Sequence, residues 1–258
     1  MSLGNVRIIL VEPAGPLNVG SVARVMKNMG LRQLWLVNPH CDPLGEQARQ
    51  MAVHGADILE TAQQVATFPD ALTGCQRAIA TTARVRNLPI QLESPRVALP
   101  WLVETGVTSA LIFGPEDRGL NNRELNYAQR FICIPSNPEY PSLNLAQSVT
   151  ICCYELYQIA QLHLQTPLPV PHSIDTASLD DLEAYYQHLE TLLLKIGYLY
   201  PHTAGARMEK LRRLLHRAAP STAEVAMLRG MLRQVEWALA FLPRSDIDDS
   251  LETKSVLE

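Results

Sequence analysis

The chain has 258 residues, 47% of them hydrophobic and 19% charged, with a formal net charge of −4 at pH 7. This is the make-up of a globular chain long enough for one large core or two domains, and it excludes a protein that coats nucleic acid over its whole surface. Five cysteines without paired CxxC motifs, an amino terminus with no basic region before a long apolar stretch, and no bilayer-length apolar run point away from zinc ribbons, signal peptides and membrane spans, so reduced, mostly buried thiols and a cytoplasmic protein are expected.

In chain order, the first β-branched run, residues 7–11, predicts a strand. Residues 20–29 follow as a helix with Val22, Val25, Met26 and Met29 on one face; Asn18 or its neighbours can cap it and Gly30 ends it. Further strands are predicted at residues 34–37, 78–81, 110–113 and 131–134, with a short helix near residues 121–128. Residues 145–163 form a long buried helix that Asn144 can start. Alternating β and α elements predict an α/β fold with a mostly parallel sheet covered on both faces, over residues 1–164.

Pro167, Pro169 and Pro171, then polar residues to Ser178, make residues 165–178 a linker. Beyond it the strand-like runs stop. Helical spacing over residues 179–196, 206–218 and 223–241 predicts a small helical extension within residues 179–243. Ser221 and Glu224 form a capping-box pattern, with Ser178 and Asp181 a weaker version. The polar residues 244–258 are expected to be a frayed tail.

Three stretches carry the chemistry: Asn18-Val19-Gly20 with Arg24, Gly114-Pro115-Glu116 with Gly119-Leu120, and Ile134-Pro135 with Ser142-Leu143-Asn144. All are placed where loops leave the carboxyl edge of a parallel sheet, the usual ligand position. Each joins glycine or proline to a small polar residue, which lets the backbone approach a ligand. Thr81-Thr82-Ala83-Arg84 adds a fourth loop, and Pro135, Pro138 and Pro141 stiffen the third stretch before any ligand arrives. Together the loops could ring an adenosine-like molecule, though the residues alone do not name it.

Competing motifs fail. GxGxxG spacing and a Gly-Lys-Ser/Thr loop are absent, the seven histidines lack metal-ligand spacing, and no GxSxG elbow surrounds Ser142. Two residues stay open between roles. Arg24 is either a solvated helix arginine or a partner for phosphate or oxyanion, and Glu116 either a ligand-loop carboxylate or the cap of the short helix after it.

Read in order, Asn18-x-Gly20-x-x-x-Arg24, Leu111-Ile112-Phe113-Gly114-Pro115-Glu116-x-x-Gly119-Leu120 and Ile134-Pro135…Ser142-Leu143-Asn144 resemble the three motifs of the SPOUT (SpoU–TrmD) superfamily of RNA methyltransferases. The likeness covers roughly residues 6–163. Leu36-Val37-Asn38-Pro39, Thr82-Ala83-Arg84, Asn137-Pro138-Glu139-Tyr140 and the arginine-rich tail are similar to its TrmJ-type tRNA (cytidine/uridine-2′-O-)-methyltransferase branch.

That resemblance implies a trefoil knot at the carboxyl end of the α/β domain, S-adenosylmethionine bound bent inside it, a homodimer whose site uses both subunits, and tRNA nucleotide 32 as the target. Carried over by position, Thr81, Thr82, Ala83, Gly114, Ile134, Pro141, Ser142 and Leu143 would hold the cofactor. Arg24 would be catalytic, supported by Asn18, Glu116, Ser142 and Asn144. Pro141 departs from the small polar residue that relatives carry, which leaves its carbonyl as the expected contact. RNA contacts are expected from Arg84, Arg86, Arg207, Lys210, Arg212, Arg213 and Arg217, with Arg229 and Arg233 beside them, and no metal is expected. A ribosomal-RNA ribose methyltransferase and a non-catalytic RNA-binding module remain the alternatives.

Overall fold

The computed structural model of the chain describes residues 3–83, 91–165 and 176–241. Contacts divide the protein into two compact units: Met1–Ile174 with Ser178–Asp180, and Asp175–Ala177 with Asp181–Glu258. The linker prolines and the tail beyond residue 243 lie outside the described residues.

The first unit runs β1 Val6–Val11, α1 Pro16–Asn28, β2 Gln33–Val37, α2 Glu46–Ala52, α3 Ala56–Glu60, β3 Gln63–Val65, α4 Phe68–Leu72 and β4 Arg77–Thr81. It continues with β5 Leu92–Glu93, α5 Pro95–Ala98, β6 Ser109–Phe113, α6 Asn122–Leu125, β7 Arg130–Ile132 and α7 Leu145–Gln165. All seven strands join one sheet in the order β3-β2-β1-β6-β4-β7-β5, and every pairing is parallel.

Every residue of β6 is buried. Successive side chains of a strand point to opposite faces, so helices must cover both sides of the sheet. Val22 and Met26 of α1 lie in the core with Ile8 and Leu10 of β1, and Val25 and Met29 pack on its margin. β7, last in the chain, is inserted between β4 and β5, two earlier strands joined by a connection of which residues 84–90 lie outside those described. A later strand thus crosses over to pair with both earlier ones, β4 on one side and β5 on the other.

Some local expectations shift. α1 starts four residues early because Pro16 occupies its first position, where the missing N–H costs nothing and the fixed φ suits a helix. Asn18 is therefore inside the first turn rather than capping it, and Gly15 is the cap residue. At the other end Gly30 takes φ +72° and Leu31 N–H reaches back to the Met26 carbonyl at 2.9 Å, closing the helix as expected. β3 and β5 were not anticipated.

The second unit holds most of α8 Leu179–Lys195, with α9 Ala204–Ala218 and α10 Thr222–Leu239. Leu182, Tyr186, Leu189, Met208, Val225 and Leu232 form its interior. Ser221 and Glu224 close a reciprocal capping box at the start of α10. Among the described residues no helix is long and apolar enough to cross a membrane.

Candidate functional site

The carboxyl ends of β4, β6 and β7 deliver their loops to one open, mixed polar and apolar cleft. Thr81, Thr82, Ala83, Gly114, Ile134, Pro141, Ser142 and Leu143 all line it, and Glu116 joins them. The backbone there is closely folded. A Cβ on Gly114 would stand 2.3 Å from the Leu120 nitrogen, Gly119 N–H donates to the Pro115 carbonyl at 2.9 Å, and Gly119 sits at φ +65°. Gly114 admits no side chain and the φ of Gly119 favours glycine, so the turn can present backbone groups and the apolar Leu120 to a ligand.

Not every lining group has its polar atoms to spare. The Thr81 hydroxyl donates to the Ile112 carbonyl at 2.9 Å, which ties it to β6. The Pro141 carbonyl, expected to face a cofactor, already accepts from Ser136 Oγ at 3.0 Å, leaving one of its two lone pairs. Ser142 is exposed and makes no hydrogen bond to another described residue.

Beside the cleft, three residues from distant parts of the chain form one line of hydrogen bonds. Asn144 Nδ2 donates to Asn18 Oδ1 at 3.0 Å, and Asn18 Nδ2 donates to Glu116 Oε1 at 2.8 Å. Asn144 is held from behind as the cap of α7: its Oδ1 accepts from Ala146 N at 2.8 Å, while Gln147 Oε1 accepts from Asn144 N at 3.2 Å. Glu116 does not cap α6. That helix is capped by Asn121, in a box with Glu124. Glu116 instead accepts from Ala14 N at 3.1 Å and Gly15 N at 3.2 Å, holding the entry to α1, where the helix dipole favours a negative charge. Burial pushes its carboxyl up, but the Asn18 amide and the N–H groups of Ala14 and Gly15 outweigh that and hold it below the ordinary carboxylate value.

Gly20 serves packing, not a ligand. A Cβ there would lie 2.2 Å from the Ala48 carbonyl oxygen and 2.8 Å from Met51 Cβ, so its absence lets α1 and α2 touch. Arg24, one turn on, is exposed, makes no ion pair or hydrogen bond with another described residue, and does not line the cleft.

Of the residues expected to meet RNA, Arg84 and Arg86 lie outside the described residues. Arg212 departs from expectation: it meets Glu183 at 2.5 and 2.9 Å and lies 4.5 Å from the Tyr186 ring, which commits its guanidinium inside the helical unit. Arg213 pairs with Glu209 at 3.2 Å, and Arg207 donates to the Tyr198 carbonyl at 2.7 Å while staying exposed. Lys210 and Arg217 are exposed and unpaired among the described residues.

Two residues that sequence reasoning passed over stand at the same edge. Glu12, directly after β1, adopts φ +47° and pairs with Arg118 of the Gly114–Leu120 turn at 2.6 Å. A charged residue closing an apolar strand was the visible signal for it. The cysteines are all unpaired. Burial lifts the Cys75 thiol to about 11 and that of Cys152 to about 12, which makes both poor nucleophiles. No metal-ligating cluster occurs among the described residues.

Comparison with known proteins follows the same division. The model of the SpoU rRNA Methylase family matches residues 5–154, and that of the tRNA methyltransferase TrmJ C-terminal domain matches residues 180–245. The tRNA (cytidine/uridine-2′-O-)-methyltransferase TrmJ of Cronobacter sakazakii is 43% identical over 238 residues, 91% of this chain and 97% of that protein. The crystal structure of TrmJ from Z. mobilis ZM4 superposes with a TM-score of 0.79 at 32% identity, covering 89% of this chain and 98% of that one. A probable methylase family protein from Haemophilus influenzae gives a TM-score of 0.62 at 34% identity, over 92% of this chain and 98% of that one.

Proposed function

Because the chain belongs to the SpoU methylase family, and within it to the TrmJ tRNA (cytidine/uridine-2′-O-)-methyltransferases, we propose that it methylates the ribose 2′-hydroxyl of cytidine or uridine 32 in the tRNA anticodon loop. S-adenosylmethionine is the methyl donor, and the enzyme works as a cytoplasmic homodimer. The observation that carries this reading is the cleft, where all eight residues assigned to the cofactor converge beside the Asn144–Asn18–Glu116 line.

The residues present suit such a donor. Ile134, Leu143 and Leu120 offer apolar contact, and the tight glycine turn brings backbone groups close. When bound, S-adenosylmethionine supplies an electrophilic methyl group on a sulfonium. The chain must then bring a sugar hydroxyl in line and favour the negative charge that grows on its oxygen. Guanidinium groups keep their proton at neutral pH, so Arg24 acts as a fixed positive charge rather than a base. The hydroxyl proton leaves to phosphate or water. Asn18 and Asn144, locked by their mutual bond, orient the ribose, with Ser142 free to assist at the cleft.

Arg24 stands exposed and away from the cleft lining, which supports a site completed by a second copy. Lys210 and Arg217, with Arg207 and Arg213 beside them, are the candidates for tRNA phosphate contacts in the helical unit. The test is Arg24→Ala in a radiolabelled methyl-transfer assay on tRNA. Loss of one charge-stabilising group raises the barrier by roughly 2.7–4 kcal/mol, so turnover should fall several hundred-fold while donor affinity stays the same. Retained turnover would refute the role.

A further inference from the structure

The turn that carries Gly114 is anchored by one guanidinium. Arg118 meets both oxygens of Glu124 at 3.0 Å, reaches the Gly119 carbonyl at 3.0 Å, and places Nη2 at 2.6 Å from Glu12 Oε2. Glu124 has a second duty, accepting from Asn121 N at 2.6 Å to cap α6. Arg118 therefore ties the turn to α6 through Glu124 and to the end of β1 through Glu12.

Glu12 sits there against its backbone preference. At φ +47° it occupies the left-handed region, which side-chain-bearing residues avoid and glycine enters without strain. Its N–H donates to the Val37 carbonyl at 2.8 Å, a bond that a glycine would make equally well. What the glutamate adds is its carboxylate. The Arg118 hydrogen bond holds that carboxyl below its ordinary value, against a smaller opposing effect of burial, so it is charged at neutral pH. Arg118 and its neighbours Asp117, Gly119 and Leu120 all line the cleft.

We propose that Glu12 is a positioning residue of the donor cleft: by holding Arg118 it fixes the turn from Gly114 to Leu120 to the sheet's edge and sets the cleft's width before the donor arrives. This rests on assigning the cleft to S-adenosylmethionine. A turn held in place loses less freedom on binding, so the effect belongs in donor affinity rather than in the transfer step.

Glu12→Gly separates this role from a structural one, because it removes the carboxylate and relieves the backbone at once. Three quantities are measured on the full chain: unfolding temperature without ligand, Kd for S-adenosylhomocysteine by calorimetry, and kcat on tRNA at saturating donor. The variant should unfold no lower than wild type, bind about tenfold more weakly and keep kcat within about twofold. Adding Arg118→Met to Glu12→Gly should weaken binding little further, as expected of two residues in one pair. An unchanged Kd, or a Kd that rises only together with a matching fall in unfolding temperature, overturns the inference. Should Glu12→Gly fail to fold, Glu12→Gln under the same three measurements decides by the same criteria for Kd and kcat. A wild type that binds neither S-adenosylhomocysteine nor S-adenosylmethionine overturns the cofactor assignment and this inference with it; normal wild-type binding with an unaltered variant overturns the inference alone.

Discussion

Replacing Glu116 with glutamine removes one charge and almost no volume, so its cost can be worked from three hydrogen bonds. Oε1 accepts from Gly15 N and Asn18 Nδ2, and Oε2 accepts from Ala14 N. A glutamine whose oxygen takes the Oε1 place keeps two bonds in neutral form and turns its amide toward the Ala14 N–H, donor against donor. A hydrogen bond to a charged group contributes about 1.5–3 kcal/mol when sheltered. This carboxylate is exposed, so water replaces part of the loss and about 1–2 kcal/mol is expected. At this size that lowers the unfolding temperature by about 2–8 °C.

The pH dependence fixes the sign. Glu116 has a folded-state carboxyl value lower than the unfolded one. Its contribution is therefore complete above the unfolded value of about 4.3 and is lost as pH falls through the folded value. Urea unfolding of wild type and Glu116→Gln side by side should show a gap at pH 7 that closes on acidification below about pH 4. A gap that persists undiminished in acid, or none at neutral pH, would refute the assignment of this carboxylate to the entry of α1.

Other perturbations discriminate packing from chemistry. Gly20→Ala forces a methyl onto the Ala48 carbonyl and should cost about 1–3 kcal/mol of stability, read by denaturant unfolding, with donor affinity intact in the protein that remains folded. Lys210→Glu and Arg217→Glu, at exposed and unpaired positions, should each weaken tRNA binding and reduce its salt dependence, measured by filter binding across a salt series, without lowering stability. Arg212→Glu should destabilise the helical unit instead, because it sets two carboxylates against each other beside Tyr186.

Much of this was legible in the residues, and the failures have physical causes. The five inner strands announced themselves because a parallel sheet buried on both faces needs continuous apolar runs. Gln63–Val65 and Leu92–Glu93 are short and polar, and nothing local distinguishes such edge strands from loop. The loops after β4, β6 and β7 did gather at one cleft, since their positions follow from strand ends, while the stretch from Asn18 to Arg24 stands outside its lining. Gly20 was misjudged because a glycine that admits a neighbouring helix looks the same in sequence as one that admits a ligand. Glu116 and Arg212 show the deeper limit. Their partners, Ala14 and Asn18 in one case and Glu183 in the other, lie far away along the chain, and only folding brings them within bonding distance.

The central claim is that the loops at the sheet's edge aim a methyl donor at a sugar oxygen of the anticodon loop. Nucleoside mass spectrometry with position mapping, on unmodified tRNA incubated with the purified chain and S-adenosylmethionine, tests it most directly. The account predicts a single new 2′-O-methyl group on cytidine or uridine 32, missing when Arg24→Ala is used. Methylation of a base, of a ribose elsewhere, or of ribosomal RNA in preference to tRNA would contradict it.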